Sequence, residues 1–159
     1  MGSRSTIDLA YIAGFLDGDG SLMLQLKKRK DGPSKFRFMA TICLYQDSRH
    51  DESLAWIQKI LRIGYLSKRN DGMTELRVNG FVQVRDLLRE LLPYTRFKKV
   101  QARALHTACT LLSEKTLRKL SKEELKQLVS LMLVIQQENY VTKKKRSQKE
   151  LFEILGLTP

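Results

Sequence analysis

Two hydrophobic periods alternate along the first half of the chain, and a helical period alone fills the second. The opening segment carries small and apolar residues at helical spacing, with Ala10, Gly14 and Gly18 at i, i+4 and i+8 and Ala13 beside them. Ser5 and Asp8 precede the apolar run as a capping box would, predicting a helix that starts near Thr6 and stops at the glycines. The period then falls to two. Over 21–27, Leu22, Leu24 and Leu26 alternate with Ser21, Met23, Gln25 and Lys27, a strand with one apolar and one polar face. After turn chemistry at Asp31-Gly32-Pro33 the alternation returns over 35–45. There Phe36, Phe38, Ala40, Ile42 and Leu44 face one way, and Lys35, Arg37, Met39, Thr41, Cys43 and Tyr45 the other.

The same sequence of periods repeats. Leu54, Ile57, Ile60 and Leu61 recur at helical spacing with Trp56 on the shoulder, and Arg62-Ile63-Gly64 ends that helix. Alternation resumes over 65–69 and 74–79 around an Asn70-Asp71-Gly72 hairpin turn, with Leu66, Leu76 and Val78 inward and Tyr65, Ser67, Arg69, Glu75, Arg77 and Asn79 outward. The remainder is helical: 81–92, stopped by Pro93; about 97–113; a helix opened by a Ser121/Glu124 capping box and running to about Gln137; and a short helix opened by Ser147 and Glu150 and ended by Gly156. This order predicts an α+β fold, a curved antiparallel four-stranded sheet with helices packed on one face. One domain spans 6–156. Residues 1–5 are read as a cloning remnant or unordered leader, since Met-Gly-Ser fits that origin although MGSRST also satisfies a myristoylation pattern.

Charge narrows the partner. The 159 residues carry 29 Lys and Arg against 17 Asp and Glu, a formal charge of +12, and 42% are hydrophobic, which suits a folded domain and not a basic tail. Such a charge serves solubility, an anionic membrane or a nucleic acid. No amphipathic basic helix with a bulky aromatic face stands out, so nucleic acid is the favoured partner. No apolar run approaches a membrane span, and no signal-peptide pattern precedes the first helix. Cys43 and Cys109 lie far apart and the histidines are His50 and His106, which suggests neither zinc site nor disulfide framework and reads as intracellular.

Candidate chemistry sits where the first helix ends. Residues 11–21 read YIAGFLDGDGS, placing Asp17 and Asp19 at the negative end of a helix dipole, where carboxylates cost energy unless a cation offsets them. A bound divalent metal would be that cation. By spacing alone the run also fits an ordinary turn, with Gly14 and Gly18 as packing sites in one core. The polar face of the first two strands is open in the same way: a two-stranded ribbon rich in Arg, Lys, Gln and Thr suits the major groove, and a charged outer face is routine for a half-solvated sheet. The basic run at 143–146 serves as a solvated loop, a localisation signal or a phosphate clamp.

Residues 11–21 resemble the signature motif of the LAGLIDADG homing endonucleases at nearly every position, and the order of elements is similar from about residue 6 to 156. The resemblance implies a fold in which two motif helices pack together and deliver one acid each to metal ions at the scissile phosphates. That acid is Asp19, with the Gly18 carbonyl beside it; Asp17 matches a less directly catalytic acid. One motif copy implies a homodimer on a long pseudo-palindromic DNA duplex, with Ala10, Ala13, Gly14 and Asp17 at the interface. It implies a four-stranded saddle in the major groove, with Gln25, Lys27, Arg29, Lys35, Arg37, Thr41, Tyr45, Ser67, Arg69, Glu75 and Arg77 as candidate contacts and Lys143 and Lys144 beyond the sheet. Gln46 matches a glutamine that positions the attacking water, and Lys98 a lysine that stabilises charge on the phosphate. His50 stands where the family more often has Arg or Lys, and Arg49 stands beside it, so two residues contend for that role.

The implied cofactor is magnesium, with manganese or calcium able to bind in its place. The implied reaction is metal-dependent double-strand cleavage in intron homing. Two other readings use the same fold, an RNA maturase that assists intron splicing and a non-catalytic DNA-binding protein. Family analogy places the protein in a mitochondrion or chloroplast.

Overall fold

The computed structural model describes residues 4–32, 34–139 and 145–159. Helix α1 (Thr6–Asp19) runs directly into strand β1 (Gly20–Lys28), which hairpins into β2 (Phe36–Asp47). A 3-10 turn (Ser48–His50) leads to α2 (Glu52–Leu61), and a second hairpin follows, β3 (Tyr65–Lys68) and β4 (Met73–Asn79). Helices α3 (Phe81–Leu91), α4 (Lys99–Glu114), α5 (Lys122–Glu138) and α6 (Gln148–Leu155) complete the chain, with a 3-10 turn at Leu117–Lys119.

The strands lie in the order β1-β2-β4-β3, every neighbouring pair antiparallel. Each hairpin keeps its own two strands adjacent, and the long strands β2 and β4 join the hairpins at the middle of the sheet. The register stacks the inward positions across the strands: Leu22 faces Ile42, Leu24 faces Ala40, Ile42 faces Val78 and Leu44 faces Leu76. All of these are buried, and with Leu54, Ile57, Leu88, Leu105 and Leu128 from the helices they form one core on the apolar side of the sheet. No helix among the described residues is long and apolar enough to cross a membrane.

Several local expectations need correction. Ser5 precedes α1, yet its side chain makes no capping hydrogen bond, whereas Ser121 and Ser147 both form complete capping boxes with Glu124 and Glu150. Leu66, expected inward, is 37% exposed, because β3 is a short edge strand whose neighbour β4 already fills the core. Thr41 and Cys43 point to the polar face but are fully buried there, since they occupy the centre of the sheet between flanking strands. Arg4, assigned to the leader, docks on the domain: its guanidinium donates to the carbonyls of Ile60 (3.3 Å) and Leu61 (2.6 Å) and pairs with Glu90, capping the last turn of α2. At the other end Leu157 is buried and its N–H donates to Phe152 across the left-handed Gly156.

The turn from α2 into β3 depends on Gly64. Its φ is +86°, and a Cβ there would lie 2.9 Å from the carbonyl oxygen of Arg77. Gly64→Ala is therefore expected to lower unfolding free energy by about 1–3 kcal/mol, read as a fall in the urea midpoint at unchanged slope.

Candidate active site and nucleic-acid face

Helix α1 has two faces with different tasks. Leu9, Ile12, Ala13 and Leu16 are buried against the core, while Ile7 (80% exposed), Ala10, Tyr11 (58%), Gly14 and Gly18 face solvent. A Cβ built on Gly14 or Gly18 meets nothing within 4 Å, so the protomer leaves that stripe open. Ala10 and Gly14, which the resemblance assigns to an interface, lie on that open stripe. Ala13 and Asp17 do not: Ala13 is part of the core, and Asp17 is only 9% exposed. Tyr11 extends the open face by packing edge-on against Trp56 of α2, ring centroids 5.5 Å apart.

Asp17 instead clasps the start of α4. Its carboxylate accepts from the backbone N–H of Arg96 (2.7 Å) and of Lys98 (2.9 Å). Lys98 returns the contact, its Nζ donating to the carbonyls of Leu16 (3.0 Å) and Asp17 (2.5 Å). A cation thus sits on the carbonyl end of α1, where the helix dipole favours it. Burial lowers the pKa of the Lys98 amine, while the charges of Asp17 and Asp19 pull the other way. Asp17 was legible in part, because it falls four residues after the buried Ala13 on the same helix face.

Asp19 is the last residue of α1, is exposed, and makes no hydrogen bond or ion pair among the described residues. The chain turns at once into β1 at Gly20, where a Cβ would sit 2.7 Å from the Leu16 carbonyl oxygen. Among the described residues no three His, Cys, Asp or Glu side chains form a metal-binding group. Asp19 therefore stands as an exposed carboxylate, unbonded among the described residues, beside the helix-end carbonyl of Gly18. That donor set fits a hard divalent ion completed by water and phosphate oxygens, and does not fit a self-contained structural site.

Gln46 lies within β2 and not after it. Gly20 pairs with Leu44, so Gln46 is two residues past the point where β1 gives way to α1. Its Oε1 accepts from the N–H of Asp47 (2.9 Å), leaving the amide NH₂ as a donor. Arg49 and His50 differ in their surroundings. Arg49 is engaged by Asp47 through two contacts, 3.0 and 2.7 Å, and that guanidinium holds the Asp47 carboxyl far below the usual carboxylate range. The exposed His50 imidazole has no hydrogen bond among the described residues, and Arg49 is likewise open to solvent beside it.

On the sheet's polar face Lys27, Arg29, Lys35 and Arg37 are exposed, and Gln25 and Ser67 are half-buried. Tyr45 bonds Ser21 (3.0 Å) and lies under the Arg69 guanidinium, 6.0 Å from the ring centroid. Two proposed contacts are corrected. Thr41 is fully buried and donates to Asn79 Oδ1 (2.8 Å), so it presents nothing to a ligand. Glu75 is buried beneath Arg77 (3.2 Å) and Arg69 (3.9 Å), and its charge serves those arginines. Lys143 and Lys144 lie outside the described residues. Just after them, Arg146 donates to the Leu26 carbonyl (3.2 Å) at the edge of β1, which fixes where that basic segment returns to the fold.

Comparison with known proteins supports the geometry. The LAGLIDADG endonuclease family profile matches residues 12–103. DNA endonuclease I-CvuI of Chlorella vulgaris is 37% identical over 97 residues, 61% of this chain and 60% of that protein. DNA endonuclease I-CreI of Chlamydomonas reinhardtii is 27% identical over 94 residues, 59% and 57% of the two lengths. The matched part thus spans about 60% of the length of these curated relatives. In structure the similarity runs further: homing endonuclease I-CvuI, crystallised on the I-CreI target in the presence of magnesium with the DNA uncleaved, superposes with a TM-score of 0.84 at 28% identity, covering 96% of this chain and 97% of that one.

The clasp sets a testable expectation. Asp17→Ala leaves two partly buried backbone donors without their charged acceptor and is expected to cost about 2 kcal/mol of unfolding free energy. Asp17→Asn, which keeps one acceptor oxygen, should cost about half of that, both read by chemical denaturation.

Proposed function

The chain belongs to the LAGLIDADG endonuclease family, and on that premise we propose that it is a site-specific homing endonuclease making metal-dependent double-strand breaks in a long pseudo-palindromic DNA target as a homodimer. The observation that carries this reading is the exposed Asp19 carboxylate, without a hydrogen bond or ion pair among the described residues, at the end of a helix whose small-residue stripe stands open. Packing two such stripes together brings two Asp19 carboxylates and two Lys98 ammonium groups to one place. The bare polar face of each sheet then lies along one half of the target.

Within that assembly each side chain has a limited task. Asp19 and the Gly18 carbonyl would hold magnesium, which supplies Lewis-acid stabilisation of the phosphate and an acidified water. Gln46 uses its free NH₂ to orient the attacking water. Lys98 places an ammonium against the developing charge on the phosphate oxygens, and His50 adds a second polar group at the same edge. Arg77, Arg69, Arg37 and Gln25 supply the fixed donors that major-groove readout needs. An organelle with intron-bearing DNA is the compartment proposed with this activity, on family analogy.

The test is a cleavage selection against a library of long pseudo-palindromic duplexes with magnesium, sequencing whatever is cut. Cleavage is expected for the native chain and none for Asp19→Asn, with duplex binding retained. Lys98→Met should lower the cleavage rate by roughly 100-fold or more. Failure of the native chain to cut any duplex would overturn the endonuclease reading and make intron RNA the next ligand. Gly14→Leu, at a position where a Cβ meets nothing within 4 Å among the described residues, is expected to sediment as a folded monomer at concentrations where the native chain is a dimer.

A further inference from the structure

Building on that reading of Lys98, we propose that Gln101 anchors a buried water site serving the Lys98 ammonium, and is a positioning residue for it. Gln101 is only 3% exposed, and its Oε1 is buried with no hydrogen-bond partner. Its side chain makes no hydrogen bond among the described residues. A buried amide left in that state is rare unless something small and polar completes it.

The surroundings provide for such a completion. Gln101 follows Lys98 by three residues, one turn along the same face at the start of α4. Both line a cavity of about 460 Å³ that reaches the end of α1, together with Gly18, Ser21, Tyr45 and Asn139. The pocket is open enough to admit water from solvent, and its lining supplies the two to four polar partners an ordered water takes. Lys98 has three N–H donors, two of them given to the Leu16 and Asp17 carbonyls. A water that accepts the third and donates to Gln101 Oε1 satisfies both orphaned groups at once. The ammonium is then held from two directions, by the helix carbonyls and by the Gln101 water, in place of swinging on a four-carbon stem.

Gln101→Met keeps the shape and removes the acceptor, and Gln101→Glu keeps an acceptor oxygen. The first readout needs no DNA: acylation of Lys98 by a limiting amine-reactive ester at fixed pH, followed by peptide mass spectrometry. Lys98 should be acylated several-fold faster in Gln101→Met than in the native chain, with protection restored in Gln101→Glu. A high-resolution crystal structure of the native protein should show a water within hydrogen-bond distance of Gln101 Oε1. Cleavage by Gln101→Met should fall about tenfold with KM unchanged, and Lys98→Met/Gln101→Met should be no slower than Lys98→Met alone. Equal acylation in native and folded Gln101→Met protein, or a dry Oε1, overturns the proposal. If the native chain cuts no duplex, the endonuclease reading fails by itself, and the acylation and water observations still decide the role of Gln101.

Discussion

The exchange of charge between α1 and α4 is the constraint on which the site depends. An aspartate near the carbonyl end of a helix and a lysine just ahead of an amide end each have the wrong sign for their own helix. Each has the right sign for the other. Asp17 accepts from the Arg96 and Lys98 amides, and Lys98 Nζ donates to the Leu16 and Asp17 carbonyls, so the end of α1 and the lead-in to α4 hold one another. Residues about 80 positions apart are thereby locked together. Asp19, two residues beyond the clasp, makes no hydrogen bond or ion pair among the described residues.

The same separation of roles governs the sheet. Its centre is fixed by buried polar pairs such as Thr41 with Asn79 and by the Glu75 carboxylate between two arginines. Its margins, at Lys27, Arg29, Lys35 and Arg37, are left to solvent. The excess of positive charge therefore concentrates where geometry leaves it free to act, along the hairpin β1–β2.

Periodicity made most of this fold legible. Alternation gave both hairpins, helical spacing gave α2 and α3, and the capping boxes at Ser121 and Ser147 marked two helix starts. What it could not give is which polar positions are buried. Thr41, Cys43 and Glu75 have the same outward parity as Arg37 and Lys35, and only their place in the middle of four strands hides them. Leu66 fails in the opposite sense, an inward parity on an edge strand with little to pack against. At the motif, spacing identified Asp17 and Asp19 as a pair, but their division of labour depends on a loop from α3 to α4 whose amides lie far along the chain. The family resemblance supplied Gln46 and Lys98, whose surroundings no local pattern encodes.

The buried Glu75 has a consequence for how recognition by this scaffold can change. Its carboxylate orients Arg77 and stands near Arg69, which is also drawn to Asp71 and to the Tyr45 ring. Replacing one of these arginines leaves the buried Glu75 carboxylate with a single cationic neighbour, so effects at these positions will not add. Under the proposed function, a change of target would therefore have to move Glu75, Arg69 and Arg77 as one block, while the exposed Arg37 and Lys35 could be exchanged singly.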